Sequence, residues 1–466
     1  MNDINRIGKL ADEYFAREDV REQAIKDLAE IVAVPSVAGA PCGEYPFGAE
    51  CARALDKAAG MAQKYGFRVE NHEYRCLSVL WGESETETGI VCHLDVVPAG
   101  DGWSGDPFVL RRENGLLMGR GAHDDKGPFI QALYTLRFFK ECGIKLPFTL
   151  RLILGSDEEV GSTDLGYFVS VRKPPAFSFT PDSEFPVCIG EKGILGVKID
   201  MGELPRGIKE ISGGTVTNAV PGRAYALLEK APQAPAGTGV SVSACNGLYK
   251  AEAEGKAAHA AMPEAGVNAI SLLCAYLLDS GLIPEADAAR FNFLREATGE
   301  YLGEKLGIAG KNGDFGYLTC VGGVVRTENG RIMQSFNIRY LPGTPREELA
   351  ENISRAVSPY GGRVVGSEGS EGYFVSADDP RISALTRACE SVLGMECKPY
   401  TMGGGTYARM LPNTVAFGSG ILSQRRFLGD ERGNAHQRDE YISESELFDG
   451  MRIYSRALGN LSEIAP

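Results

Sequence analysis

Positive charge is in short supply: 62 acidic side chains face 48 Lys and Arg across 466 residues, a formal net charge of -14. That balance argues against nucleic acid as a partner, because phosphate backbones call for basic surfaces. Long apolar runs are lacking too. No stretch approaches the about 18 consecutive apolar residues of a membrane-spanning helix, and Asp3, Arg6, Lys9, Asp12 and Glu13 interrupt the first 15 residues, which therefore have no signal-peptide core. A cytoplasmic protein with neither a nucleic-acid nor a membrane partner is expected. The 11 cysteines include no CxxC pair, and an odd count without an export signal fits reduced core thiols rather than a disulfide framework or a zinc knuckle. Only five histidines are present, few enough to weigh one by one.

What is there is ordinary globular material, 43% hydrophobic and 24% charged, in a chain long enough for two domains. Helical periodicity runs from Asn5 to Val34 and again over Gly48–Tyr65, Pro128–Glu141, Pro380–Leu393 and Glu444–Leu458. Strand patterns fall at Phe67–Tyr74, Gly89–Leu94, Phe148–Leu154, Phe177–Thr180 and Thr414–Phe417. Alternation of the two predicts an α/β fold with a mostly parallel sheet flanked by helices. From about Gly190 the texture changes to shorter strands and two strand-then-helix units, Tyr249–Glu254 with Val267–Leu278 and Ile332–Tyr340 with Arg346–Val357. Residues 190–372 are therefore expected to form an inserted α+β domain between two parts of the first, 1–189 and 373–466.

In parallel sheets ligands collect beyond the carboxyl ends of the strands. His93 and Asp95 stand at the end of one strand, on the same side by the period-2 alternation, with Asp95 suited to orient the imidazole. Asp157, Glu158 and Glu159 follow another strand, and Asp182 a third. Asp124 and Asp125 lie in a glycine-bounded turn before a helix; a helix N-cap needs only one acid, so the second suggests a carboxylate on display. His436 by itself reads as a loop residue, and His72, between Asn71 and Glu73, as an exposed one. Together His93, Asp124, Glu159, Asp182 and His436 make two imidazoles and three carboxylates with no thiolate, a set suited to Zn²⁺, Mn²⁺ or Co²⁺. Five ligands are one short of three per metal, so one shared carboxylate implies two ions about 3.5–4 Å apart.

The segments HLDVVP at His93, GRGAHDDKGP at Arg120, SDEEVGS at Ser156, PDSEFPV at Asp182, GKAAHAAMPEAGVNA at Lys256 and AHQRDEYI at Ala435 resemble the dinuclear-zinc metallopeptidases that include aminoacylases, carboxypeptidase G, desuccinylases and carnosinases. PDSEFPVCIGEKG and GGGTYAR look most similar to bacterial Xaa-His dipeptidases of the PepV type. The resemblance implies that Asp124 bridges the metals, that His93 and Asp182 complete one site, and that Glu159 and His436 complete the other. It further implies a cis peptide after Asp124, Glu158 as general base, His259 as oxyanion stabiliser and Arg339 as holder of the substrate carboxylate. Asn218 and the glycines around Gly404 resemble further substrate contacts, and the insert would serve as a lid. Two positions depart from the pattern: His123 stands where a small or apolar residue is usual, and Asp439 where Asn is common.

The expected activity is hydrolysis of unblocked dipeptides on two divalent ions, zinc foremost. The alternatives are a deacylase of N-acyl amino acids on the same site and a non-catalytic metal-binding protein. A monomer is expected, with dimerisation through the insert as the other arrangement.

Overall fold

The computed structural model describes residues 3–232, 239–421, 427–429 and 432–464. The chain divides into two compact units, one made of Met1–Gly190, Val375–Tyr400 and Thr406–Pro466, the other of Glu191–Phe374 and Thr401–Gly405.

The sheet of the first unit runs in the order Arg68–His72, Cys76–Trp81, Thr149–Gly155, Glu87–His93, Phe177–Thr180, Thr414–Phe417, Val187–Glu191. Its centre is parallel: Glu87–His93 pairs with both Thr149–Gly155 and Phe177–Thr180, and the latter with Thr414–Phe417. The flanking pairs are antiparallel. The central strands are buried almost throughout, as expected of parallel strands covered on both faces. Helix Lys126–Glu141, whose residues 126–136 are all buried, is one of those covers. Three of the parallel strands end at His93, Gly155 and Thr180, so the polar residues that follow emerge at one edge.

Two local expectations differ from the structure. The helical stretch at the N-terminus is two helices, Asp3–Phe15 and Glu18–Val32, because Arg17 leaves the helical region at ψ 128°. Glu18 and Asp19 then place negative charge at the new N-terminus, where the helix dipole favours it. His72 is buried rather than exposed: its Nε2 lies 2.9 Å from Ser78 Oγ and its ring meets Phe168 edge-on. Strand Cys76–Trp81, absent from the sequence-based assignment, supplies that partner and covers the residue.

The second unit carries an eight-stranded sheet in the order Val240–Cys245, Leu248–Glu254, Arg223–Leu228, Ile208–Gly213, Thr319–Glu328, Arg331–Tyr340, Gly193–Glu203, Arg363–Ser370. Every neighbouring pair is antiparallel. Helices Ala269–Asp279, Glu285–Gly299 and Arg346–Val357 share its core, where Ile270, Leu273, Phe291 and Ile353 pack with Leu195, Ile199, Phe336 and Ile338. Among the described residues no helix is long and apolar enough to cross a membrane.

Candidate metal centre

The first unit gathers six side chains from five chain segments. His93, fully buried at the end of its strand, points Nε2 at Asp124 Oδ1, 2.9 Å away, and stands 3.9 Å from Asp182 Oδ2. His436 Nε2 lies 3.0 Å from Asp124 Oδ2 and 3.0 Å from Glu159 Oε2. The two oxygens of Asp124 thus face two different imidazoles. Donor atoms of His93, Asp124 and Glu159 lie within 4.8 Å of one another, as do those of His93, Glu158 and Asp182.

Several of these residues are held by neighbours. His93 Nδ1 is 3.0 Å from the Asp95 carbonyl and 3.4 Å from its Oδ1, an arrangement that fixes the ring and leaves Nε2 to face the cluster. Asp95 Oδ2 accepts the N–H of Glu159 at 3.0 Å. The peptide bond between Asp124 and Asp125 is cis. Asp125 sits at the N-cap position of the Lys126–Glu141 helix without capping it; its Oδ2 accepts the N–H of His93 at 3.0 Å instead. The two adjacent acids therefore divide, one facing the imidazoles and the other bracing a strand end.

Glu440 and Arg120 were not singled out from the sequence, although both lie in the motifs that carried the resemblance. Glu440 Oε1 accepts the N–H groups of His123 and Asp124, each at 3.0 Å, and its other oxygen pairs with the buried Arg120 guanidinium. Arg120 also reaches the carbonyl of Ala99 at 3.3 Å and lies over the Trp103 ring. Removing the charge with Glu440→Gln leaves Arg120 buried without its counter-ion, which should cost about 3–5 kcal/mol of stability. Urea unfolding of wild type and variant measures this; an unchanged midpoint would mean that Arg120 does not depend on that carboxylate. Asp439, at φ 54°, accepts from Ser104 N and Oγ at 2.9 and 2.7 Å and from Arg111 at 3.1 Å. A carboxylate at this position makes an ion pair that Asn could not, and it ties down the loop bearing His436.

The electrostatics of the cluster call for cations. Burial pushes Glu158 up to about 8; the charge of His93 opposes this, while those of Glu159, Asp95 and Asp124 add to it. Burial and Asp124 raise Glu159, and burial with Asp124 and Glu158 lifts Asp182 well above the carboxylate range. Burial acts the same way on Asp124, but hydrogen bonds from His436 and His93 outweigh it and hold the group low. Those same bonds to Asp124 and Glu159 push His436 up to about 10. Imidazolium protons thus stand where positive charge is wanted, and Glu159 Oε1 is buried with no hydrogen-bond partner. Nitrogen and oxygen donors without thiolate, at these separations, fit divalent ions of the zinc, manganese or cobalt type.

Four further residues expected at the site lie in the second unit. His259 pairs with Ala219 in a short antiparallel ladder, its Nδ1 accepts the N–H of Ala261 at 3.2 Å, and the carbonyl of Asn218 accepts the N–H of Ala260 at 2.9 Å. Arg339 is buried, with Nε donating to Asn337 Oδ1 at 3.0 Å and Nη1 3.5 Å from the Gly403 carbonyl. A Cβ on Gly403 would meet Ala261 at 3.5 Å, and one on Gly404 only Met402 Sδ at 3.8 Å. The unit therefore brings Asn218 beside His259, and Arg339 beside the glycine run.

Residues 89–460 match the family described as "Peptidase family M20/M25/M40". "Putative dipeptidase YtjP" of Bacillus subtilis (strain 168) is 30% identical over 472 residues, covering 95% of this chain and 98% of its own length. The crystal structure of human carnosine dipeptidase 1 shares the fold with a TM-score of 0.59 at 17% identity, covering 99% of this chain and 100% of that one. Bacillus subtilis YxeP, described as a dinuclear metal binding peptidase from the M20 family, matches with a TM-score of 0.50 at 10% identity over 96% of this chain and 100% of its own. With a family match over most of its length and a relative at 30% identity spanning nearly all of it, the chain belongs to peptidase family M20/M25/M40.

Proposed function

We propose that the chain is a dinuclear metal-dependent dipeptidase in which Glu158 is the general base. The observation that carries the reading is Asp124, whose two oxygens each face a separate imidazole, with Glu159 beside one of these and Asp182 and Glu158 beside the other. A dipeptide substrate is supported by the similarity to "Putative dipeptidase YtjP" over almost the whole chain. His93 and Asp182 would hold one ion, Glu159 and His436 the other, with Asp124 shared. Bound there, two divalent ions, zinc foremost and manganese or cobalt as alternatives, supply the positive charge that polarises a peptide carbonyl and eases loss of a proton from water.

The chain's own groups then move the proton and orient the substrate. Glu158 takes the proton from the attacking water and returns it to the leaving nitrogen. Divalent charge at Asp124, Glu159 and Asp182 would offset the burial and the neighbouring anions that raise Glu158, favouring the ionised carboxylate a general base needs. Asp95 keeps the His93 ring in the tautomer that presents Nε2. In the second unit, the Arg339 fork is assigned to the terminal carboxylate of the substrate, where a bidentate pair is strongest, and His259 to its carbonyl oxygen. Asn218 and Gly404 would add substrate contacts. A cytoplasmic monomer is the simplest assembly consistent with this reading.

A panel of Ala-Ala, β-Ala-His and N-acetylalanine tests the substrate class. Ala-Ala turnover with kcat/KM in the range of about 10⁴–10⁸ M⁻¹s⁻¹ is expected of a committed enzyme. Turnover confined to N-acetylalanine would make the chain a deacylase instead.

A further inference from the structure

Asp164 lies outside the donor cluster, in the first turn of helix Thr163–Val171. It is fully buried, close to an apolar cluster that includes Val91, Ile153, Leu165 and Phe168. Its carboxylate takes four uncharged donors: the N–H groups of Ser156 at 2.7 Å and Asp157 at 3.0 Å, that of Leu165 at 2.6 Å, and the hydroxyl of Tyr407. In apolar surroundings such bonds are strong, and leaving them unmade is expensive.

These contacts bear on Glu158. The chain leaves strand Thr149–Gly155 and is caught at once at Ser156 and Asp157 by Asp164, then at Glu159 by Asp95 Oδ2, 3.0 Å from its N–H. Glu158 is the single residue between the two anchors. Asp157, the first acid of the run, closes the loop by accepting from Thr163 N at 2.9 Å and from the Thr163 hydroxyl. Tyr407 links this loop to the donor cluster, since its ring stands edge-on to the His93 imidazole with centroids 6.1 Å apart. The crossing is tight: a Cβ on Gly155 would collide with the Tyr407 hydroxyl and with Asp164 Oδ2.

We infer that Asp164 and Tyr407 are positioning residues for hydrolysis, fixing through the Ser156–Asp157 backbone where the Glu158 carboxylate stands relative to His93. The inference rests on the base role proposed for Glu158. Asp164→Asn keeps the size of the side chain but turns an amide N–H₂ or a weaker acceptor toward two backbone N–H groups. Tyr407→Phe removes one donor and keeps the ring against His93.

The test uses the full metal-loaded chain, with whichever of Ala-Ala or N-acetylalanine the wild type turns over. It measures kcat, KM, bound metal per chain and Tm, in the wild-type and Glu158→Gln backgrounds. Asp164→Asn should lower kcat about 10²-fold, the scale of a small misplacement of a reacting group, with KM within about threefold and metal content unchanged. Tyr407→Phe should do the same by about tenfold. In the Glu158→Gln background Asp164→Asn should cost under about twofold, because residues acting as a unit are not additive. An equal loss in both backgrounds, a rise in KM alone, or loss of metal in step with activity would each overturn the inference. If Asp164→Asn does not fold, Tyr407→Phe decides, and wild-type kinetics in that variant would overturn it. Failure of the base role shows separately, as wild-type turnover by Glu158→Gln alone.

Discussion

Replacing Glu158 by Gln should leave bound metal near the wild-type amount while lowering kcat by about 10²–10⁴-fold, the contribution of a positioned acid–base group. The substitution preserves the shape of the side chain and removes only its ability to take a proton. Other donors remain for the ions, because His93 and His436 each lie within 3.0 Å of Asp124, with Asp182 and Glu159 beside them. At 1.36 kcal/mol per tenfold, the loss corresponds to about 3–5 kcal/mol of transition-state stabilisation. Elemental analysis and steady-state kinetics on the same preparation separate the two quantities. Retained metal with retained kcat would refute Glu158 as the base; metal lost in step with activity would instead make it a ligand, as its place beside His93 and Asp182 also allows.

The second large effect is expected at Asp124. Its carboxylate is the only one in the cluster that meets both imidazoles within hydrogen-bonding distance, so Asp124→Ala removes the shared partner and leaves His93 and His436 without a common anion. Removing an outer partner of a metal ligand already costs about 10–100-fold in affinity or activity, and if Asp124 is the shared ligand proposed above, its loss should exceed about 10²-fold in kcat/KM. Metal content should fall below that of the wild type, as measured by elemental analysis after dialysis. Full metal content in Asp124→Ala would mean that the ions are held elsewhere.

Acidity should act in the same direction. Ligation needs neutral imidazoles and ionised carboxylates, whereas the cluster by itself holds His436 up to about 10 and raises Glu159 and Asp182. On the proposed ligand set, protons and divalent ions would compete for the same atoms, so bound metal, read by elemental analysis after dialysis, should fall as the pH is lowered.

The elements legible in the sequence are those set by local periodicity. Phe177–Thr180, Thr414–Phe417, Arg346–Val357 and Pro380–Leu393 occur at the expected positions, because amphipathic spacing and flanking Gly or Pro act over a few residues. The α/β class followed from their alternation. Strand Cys76–Trp81 was not legible, since a short apolar run without turn signals is ambiguous, and the exposed reading of His72 failed with it. The parallel centre of the sheet followed from the same alternation; the antiparallel flanks did not, as pairing direction depends on connections that local pattern does not encode.

Residue type alone determined the chemistry on offer: imidazoles and carboxylates at strand ends, few histidines, and no CxxC pair. Which atom faces which was decided only by the tertiary structure. Asp124 and Asp125 are neighbours of one type, yet one turns to two imidazoles and the other to the backbone of His93. Asp157, Glu158 and Glu159 are likewise sorted by their surroundings into a loop closure, a half-buried carboxyl with raised pKa and a partner of His436. Glu440 on the Asp124 turn and Tyr407 on Asp164 carry no periodic signature at all. Hydrogen bonds act over about 3 Å and along narrow directions, so contacts between residues hundreds of positions apart come into being only when the sheet brings its strand ends to a common edge.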